Sequence, residues 1–166
     1  MNQRAPLTRI ADALGTLPVR GLVTTGPAVD PAAIPAPGNV LVTSAAPHRV
    51  ALSRSAVTVT HAGHGTAVKS LAAGVPLVCM PLVRDQTEVA RHIELAGAGV
   101  TVGRRSSPRA IARAVERVLH DASYRREARR LADEIAAETA TDLAVAEIEA
   151  LTGRTATGRG GMAGVS

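Results

Sequence analysis

Residues 57–66 read VTVTHAGHGT, four β-branched residues followed by His61, Ala62, Gly63, His64, Gly65 and Thr66. The first four residues are built for a strand. Gly63 and Gly65 break it into a tight turn. Residues 66–73 (TAVKSLAA) then read as a helix that Gly74 ends, and residues 76–80 (PLVCM) as the next strand. Strand, turn, helix and strand in that order make a parallel crossover unit. Its turn is also chemically useful. A helix start carries unpaired backbone N–H groups and the positive end of the dipole. Glycines let an anion approach that backbone closely. Thr66 adds a hydroxyl and His61 an imidazole that can donate to a phosphate oxygen. The turn therefore suits a phosphate or diphosphate. The same glycine spacing also serves plain close packing between strand and helix. His61 and His64 could alternatively ligate a metal, but Gly63 opposes the helix that would align them and no third ligand lies nearby.

Working outward, the same alternation continues on both sides. Upstream, Leu7, Ile10, Ala11 and Leu14 fall at helical spacing before Gly15. Residues 19–24 (VRGLVT) and 40–43 (VLVT) read as strands, separated by a loop rich in proline and glycine over 25–39. Residues 47–53 suit a short helix. Downstream, a helix over 88–96 places Val89, Ile93 and Ala96 on one face, and a strand follows over 99–102. Ser107 and Pro108 then form a cap and first turn for a helix with Ile111, Val115, Val118 and Leu119 as its buried stripe. A second helix turns Ala128, Leu131 and Ile135 inward, with Arg129 four residues from Asp133 and Arg130 four from Glu134. A weaker helical pattern covers 142–151, and the glycine-rich tail over 152–166 is expected to be disordered. The expected organisation is one domain over 1–151 plus that tail. Alternating strands and helices imply a Rossmann-like parallel sheet with helices on both faces, which binds ligands at the carboxyl ends of its strands.

Composition narrows the function classes. The chain has 166 residues, net charge +5 and 1% aromatics, with Tyr124 as the lone aromatic. Positive charge without aromatic platforms, interleaved with 14 acidic residues, argues against a nucleic-acid partner. No apolar run is long enough to cross a bilayer. The opening MNQRAPLTRI lacks the apolar centre of a secretion signal, so no membrane partner and a cytoplasmic location are expected. Cys79 is the one cysteine, set in an apolar run as a small core residue. Beyond the strand at 76–80, Arg84, Asp85 and Gln86 fall at the same carboxyl edge as His61. A carboxylate beside an amide can hydrogen-bond adjacent sugar hydroxyls. Asp85 could equally cap the following helix, with Glu88 three residues on.

His61-Ala62-Gly63-His64-Gly65-Thr66, then Ala72-Ala73-Gly74-Val75-Pro76, then Pro81 and Asp85-Gln86, resembles the signature of UDP-type glycosyltransferases of the GT-B fold. The nearest likeness is to bacterial enzymes that glycosylate macrolides and other natural products. The resemblance implies the nucleotide-sugar-binding C-terminal half of such an enzyme. It places the donor diphosphate on His61, Gly63, His64, Gly65 and Thr66, the sugar on Asp85 and Gln86, and the base on Ala45, Ala46 and His48. It implies no metal and no cofactor beyond the nucleotide sugar. Three residues depart from the pattern. Ala45 stands where many members stack a tryptophan, Lys69 where many hold the ribose with a glutamate, and Ala62 where relatives have glycine.

The acceptor-binding half, with its general base, has no counterpart here, and neither does the first strand of the C-terminal half. No catalytic residue is therefore assigned, and the isolated chain is expected to be inactive. A separate chain would supply the acceptor domain. Residues 19–24 are then expected either to pair directly with residues 57–60 or to leave a gap that another chain fills. The alternative to a truncated transferase is a non-catalytic nucleotide-sugar-binding module or a degenerate remnant. A nucleotide-sugar epimerase of the same fold is a third reading, which the Asp85-Gln86 pair disfavours by resemblance.

Overall fold

Every strand in the computed structural model runs parallel to its neighbour. The structure describes residues 4–140. In chain order these are α1 (Arg4–Gly15), β1 (Gly21–Thr24), a 3₁₀ turn (Pro31–Ala33), β2 (Val40–Thr43), α2 (His48–Ser53) and β3 (Thr58–Thr60). Then come α3 (His64–Ala72), β4 (Leu77–Cys79), α4 (Arg84–Leu95), β5 (Gly99–Thr101), α5 (Pro108–His120) and α6 (Ala122–Ala140). Residues up to Asp133 form one compact unit, and the last turns of α6 belong to a second. The helical pattern over 142–151 and the tail over 152–166 lie outside the described residues.

The strands make two sheets: β1 with β2, and β3–β4–β5 with β4 in the middle. β1 pairs with β2, Gly21 opposite Val40 and Thr24 opposite Thr43, and does not join β3. The direct pairing of residues 19–24 with 57–60 is therefore not what forms. β4 explains why its run is apolar without alternation: successive side chains point to opposite faces, and both faces are covered. Val78 joins a core with Ala11 and Leu14 of α1, Val23 of β1, Val40 of β2, Val100 of β5, and Ile111, Val115 and Val118 of α5. Leu77 and Cys79 join a second core on the other face, with Ala67 of α3, Ala90 and Ile93 of α4, and Ala128 of α6. Burial pushes the Cys79 thiol up to about 12, with the nearby Glu94 charge adding to it.

Local chemistry sets the helix ends. Ser107 Oγ accepts from the Ala110 N–H at 3.3 Å and Pro108 occupies the first turn of α5, as the pattern requires. Helices α3 and α4 both close through a left-handed glycine. Gly74 (φ 64°) and Gly97 (φ 70°) let Val75 and Ala98 donate back to Ser70 and Ile93, each at or near 3 Å. These turns aim the chain straight into β4 and β5. Asn39 does comparable work between α1 and β1. Its Nδ2 donates to the carbonyls of Leu14, Leu17 and Val19 at 2.8–3.1 Å, satisfying the end of α1 and the turn after it. On α6, Arg130 Nε pairs with Glu127 Oε2 at 2.9 Å.

Candidate functional site

The carboxyl ends of β3 and β4 lie side by side, because Thr60 pairs with Cys79 in the ladder and Met80 N–H donates to Thr60 O at 2.7 Å. Beyond Thr60 the chain turns sharply. Ala62 is fully buried and left-handed, with φ 61°, a conformation that costs an alanine about 1–2 kcal/mol. Its N–H donates to Thr60 Oγ1 at 3.3 Å. Glycine has no such cost, so this backbone conformation favours glycine over alanine.

Helix α3 begins two residues before the sequence reading placed it. Gly63 is the N-cap, so His64 and Gly65 stand in the first turn. The N–H groups of Thr66 and Ala67 are already used by Gly63 O, at 3.1 and 3.0 Å. The amides of His64 and Gly65 are thus the first-turn donors left for a ligand. The His61 ring folds directly onto Gly63: a Cβ added to Gly63 would lie 2.5 Å from His61 Nε2. Glycine at 63 is needed for this close approach. The structure therefore gathers His61, Gly63, His64, Gly65 and Thr66 around one helix start, with His61, His64 and Gly65 exposed. Among the described residues no group of three His, Cys, Asp or Glu side chains comes together to hold a metal ion.

After β4 the chain reaches α4, whose start is at Arg84 rather than near residue 88. Gln86 sets it: Oε1 accepts from the Leu82 and Val83 N–H groups at 2.9 and 3.2 Å. Capping thus falls to Gln86 and not to Asp85 with Glu88. Asp85 stands exposed in the first turn. With its oxygen engaged, Gln86 keeps its Nε2 as a donor.

The third segment follows β2. Ala45 and His48 are exposed, and Ala46 is half-buried. His48 opens α2 and lines a groove between α2 and α3 together with Arg49, Leu52, Lys69 and Ala73. Ala45 and Ala46 are not among the residues lining it. Sequence spacing alone did not bring His48 to Lys69. They stand 21 positions apart, and only the packing of α2 on α3 joins them.

Comparisons with known proteins give the family and the fold. The model of the family described as erythromycin biosynthesis protein CIII-like, C-terminal domain, matches residues 9–151. A glycosyltransferase of PGL/p-HBAD biosynthesis from Mycobacterium tuberculosis is 36% identical over 91 residues, which are 55% of this chain and 21% of that protein. Human UDP-glucuronosyltransferase 1A9 is 48% identical over 44 residues, 26% of this chain and 8% of its own length. Among solved structures, the calicheamicin glycosyltransferase has a TM-score of 0.81 at 27% identity, covering 93% of this chain and 40% of that one. The glycotransferase of kitacinnamycin has a TM-score of 0.81 at 26% identity, covering 90% and 40%. The chain thus spans well under half the length of each of these relatives. The sheets flanked by helices match the C-terminal halves of GT-B glycosyltransferases. No helix among the described residues is long and apolar enough to cross a membrane.

Proposed function

Because this chain belongs to the family of the erythromycin biosynthesis protein CIII-like C-terminal domain, we propose that it is the donor-binding part of a glycosyltransferase. The reaction is transfer of a hexose from a nucleotide diphosphate sugar to a hydroxyl, with inversion. The observation that carries this reading is the His61 ring seated on Gly63 at the start of α3. As the bond from sugar to diphosphate breaks, negative charge grows on the leaving phosphate. The free His64 and Gly65 amides, the helix dipole and an imidazole N–H from His61 meet that charge. Thr66 adds its hydroxyl. This set needs no metal and no further cofactor. Asp85 accepts from one sugar hydroxyl and Gln86 Nε2 donates to a neighbour. Ala45, Ala46 and His48, beyond β2, border the base. The acceptor site and its general base belong to a separate N-terminal acceptor-domain part.

One observation favours a second reading, a non-catalytic nucleotide-sugar-binding module or a remnant. Lys69 borders the groove beside His48, and an ammonium cannot accept from ribose hydroxyls. It can pair with a phosphate instead. Calorimetric titration with UDP and UDP-sugars separates a nucleotide-sugar binder from a remnant: absence of heat at millimolar ligand removes the donor site. In an enzyme reconstituted with an acceptor domain, His61→Ala should cost about 2–4 kcal/mol of transition-state stabilisation, as for loss of one oxyanion donor. An unchanged kcat defeats the assignment of His61.

A further inference from the structure

Two clefts flank α2, and they differ in whether their charges are satisfied. The first lies between residues 53–56, the end of α5 and the start of α6, with Arg54, Asp121 and Arg125 in its wall. It is closed on itself. Arg125 Nη1 donates to the Ser55 and Ala56 carbonyls at 3.1 and 3.3 Å, and Asp121 brings a carboxylate beside the arginines. The second is the groove between α2 and α3, about 490 Å³ in volume, within the size of small-molecule sites at about 300–1,000 Å³. His48, Arg49 and Lys69 line it, and no acidic residue among the described residues does. None of these three basic side chains has an ion-pair or hydrogen-bond partner among the described residues.

The groove is polarised along its length. α2 ends just before β3 and α3 just before β4, and the starts of those strands are paired, Thr58 opposite Leu77. The two helices thus finish together at the amino edge of the sheet. Leu52, Ala72 and Ala73 line the groove there and are apolar. His48 and Arg49 open α2, and Lys69 precedes Ala73 by about 6 Å of helix. The basic end therefore faces away from the amino edge and the apolar end toward it. Lys69 also lies about 9 Å beyond Gly63 along α3, so an anion held there is distinct from one at the helix start.

We propose that this groove binds an amphiphilic phosphate monoester, its phosphate at the basic end and its apolar chain between the last turns of α2 and α3. The head follows from the donors. An ammonium, a guanidinium fork and an imidazole N–H match three terminal phosphate oxygens, where a carboxylate offers two. The tail follows from the floor. Leu52, Ala72 and Ala73 carry no polar side-chain atom, so a hydrocarbon laid on them is favoured and a polar body is not. A chain about as long as one helical turn, about 6 Å, reaches from Lys69 to Ala73. A short alkyl or aryl phosphate meets both requirements. This inference rests on the α2–α3 groove and stands whether or not the start of α3 binds a diphosphate.

Calorimetry of the full chain with hexyl phosphate tests it, with inorganic phosphate and hexanol as the two half-ligands. Hexyl phosphate should bind about tenfold tighter than either. Lys69→Glu and Ala72→Glu, both at exposed positions, should each weaken it about tenfold. The first reverses the charge at the head, and the second sets a carboxylate on the floor. Backbone amide NMR signals should move at Leu52, Ala72 and Ala73. The proposal is overturned if hexyl phosphate binds no better than inorganic phosphate, which would be diffuse attraction of anions to a basic surface. It is overturned equally if either variant binds as tightly as the parent chain. Signals that move at His64 and Gly65 in place of Leu52 and Ala73 would also overturn it, by seating the phosphate at the helix start.

Discussion

The β3–β4–β5 sheet and the β1–β2 sheet are both built from short apolar parallel strands of three or four residues, yet they end in different states. β4 is covered on both faces, and Leu77, Val78 and Cys79 are all fully buried. β1 and β2 are covered on one face by α1, while Leu22 and Leu41 stay exposed on the other. The difference lies in what each sheet has beside it. The crossover helices α3 and α4 follow β3 and β4 directly and fold back over them. The connection from β1 to β2 is a proline-rich loop with one 3₁₀ turn, which offers no helix to cover the second face. The faces of β4 are therefore closed by helices, while one face of β1 and β2 stays open.

The comparison can be broken most directly by truncating a leucine in each sheet. Leu77→Ala should cost about 2–5 kcal/mol in urea unfolding, since it leaves a cavity between β4 and the helices on that face. Leu41→Ala should change stability by no more than about 0.5 kcal/mol. Equal costs would mean that β2 is covered in solution. A smaller effect is expected at the helix start. Gly63→Ala puts a methyl where His61 Nε2 sits, so the ring must leave, and UDP affinity should fall about tenfold by calorimetry, or about 1.4 kcal/mol. Affinity unchanged in that variant would show that the ring is not part of the grip.

Cys79 sharpens the contrast through pH. Its folded pKa, about 12, lies above the unfolded value near 9, so its thiol stays protonated in the fold while the unfolded thiol ionises. Stability is full below pH 9 and is lost as pH rises toward 12, with a slope approaching about 1.4 kcal/mol per pH unit. Urea midpoints measured at pH 8 and pH 10.5 should fall less in Cys79→Ala than in the parent chain. Parallel falls would contradict the burial of that thiol. The smallest effect is expected for Ala62→Gly. Relief of left-handed strain, about 1–2 kcal/mol, is opposed by a lost buried methyl of about 0.8 kcal/mol and by the greater freedom of glycine in the unfolded chain. The net change should stay within about 1 kcal/mol. A stabilisation beyond 2 kcal/mol would show that the alanine is strained by more than its backbone.

Much of this was legible before any coordinates. The VLVT tetrad is β2 at the expected bounds, and Ser107-Pro108 opens α5 where its capping chemistry demands. The turn at 61–66 is recognisable as a strand-to-helix turn because Gly63 and Gly65 follow a β-branched run. Other details were not. The start of α4 was placed four residues late, because Gln86 reaches back to a cap with no polar side chain of its own. Helix α3 was placed late because Gly65, a poor helix former, sits inside its first turn.

Local pattern alone decided which segments are strands and which are helices, because dihedral preference and side-chain period act between near neighbours. Tertiary packing alone decided that β1 and β3 stay apart and that His48 and Lys69 line one groove. Those outcomes depend on contacts between parts of the chain with no fixed spacing. A strand edge carries the same backbone groups whether or not a neighbour is there to take them.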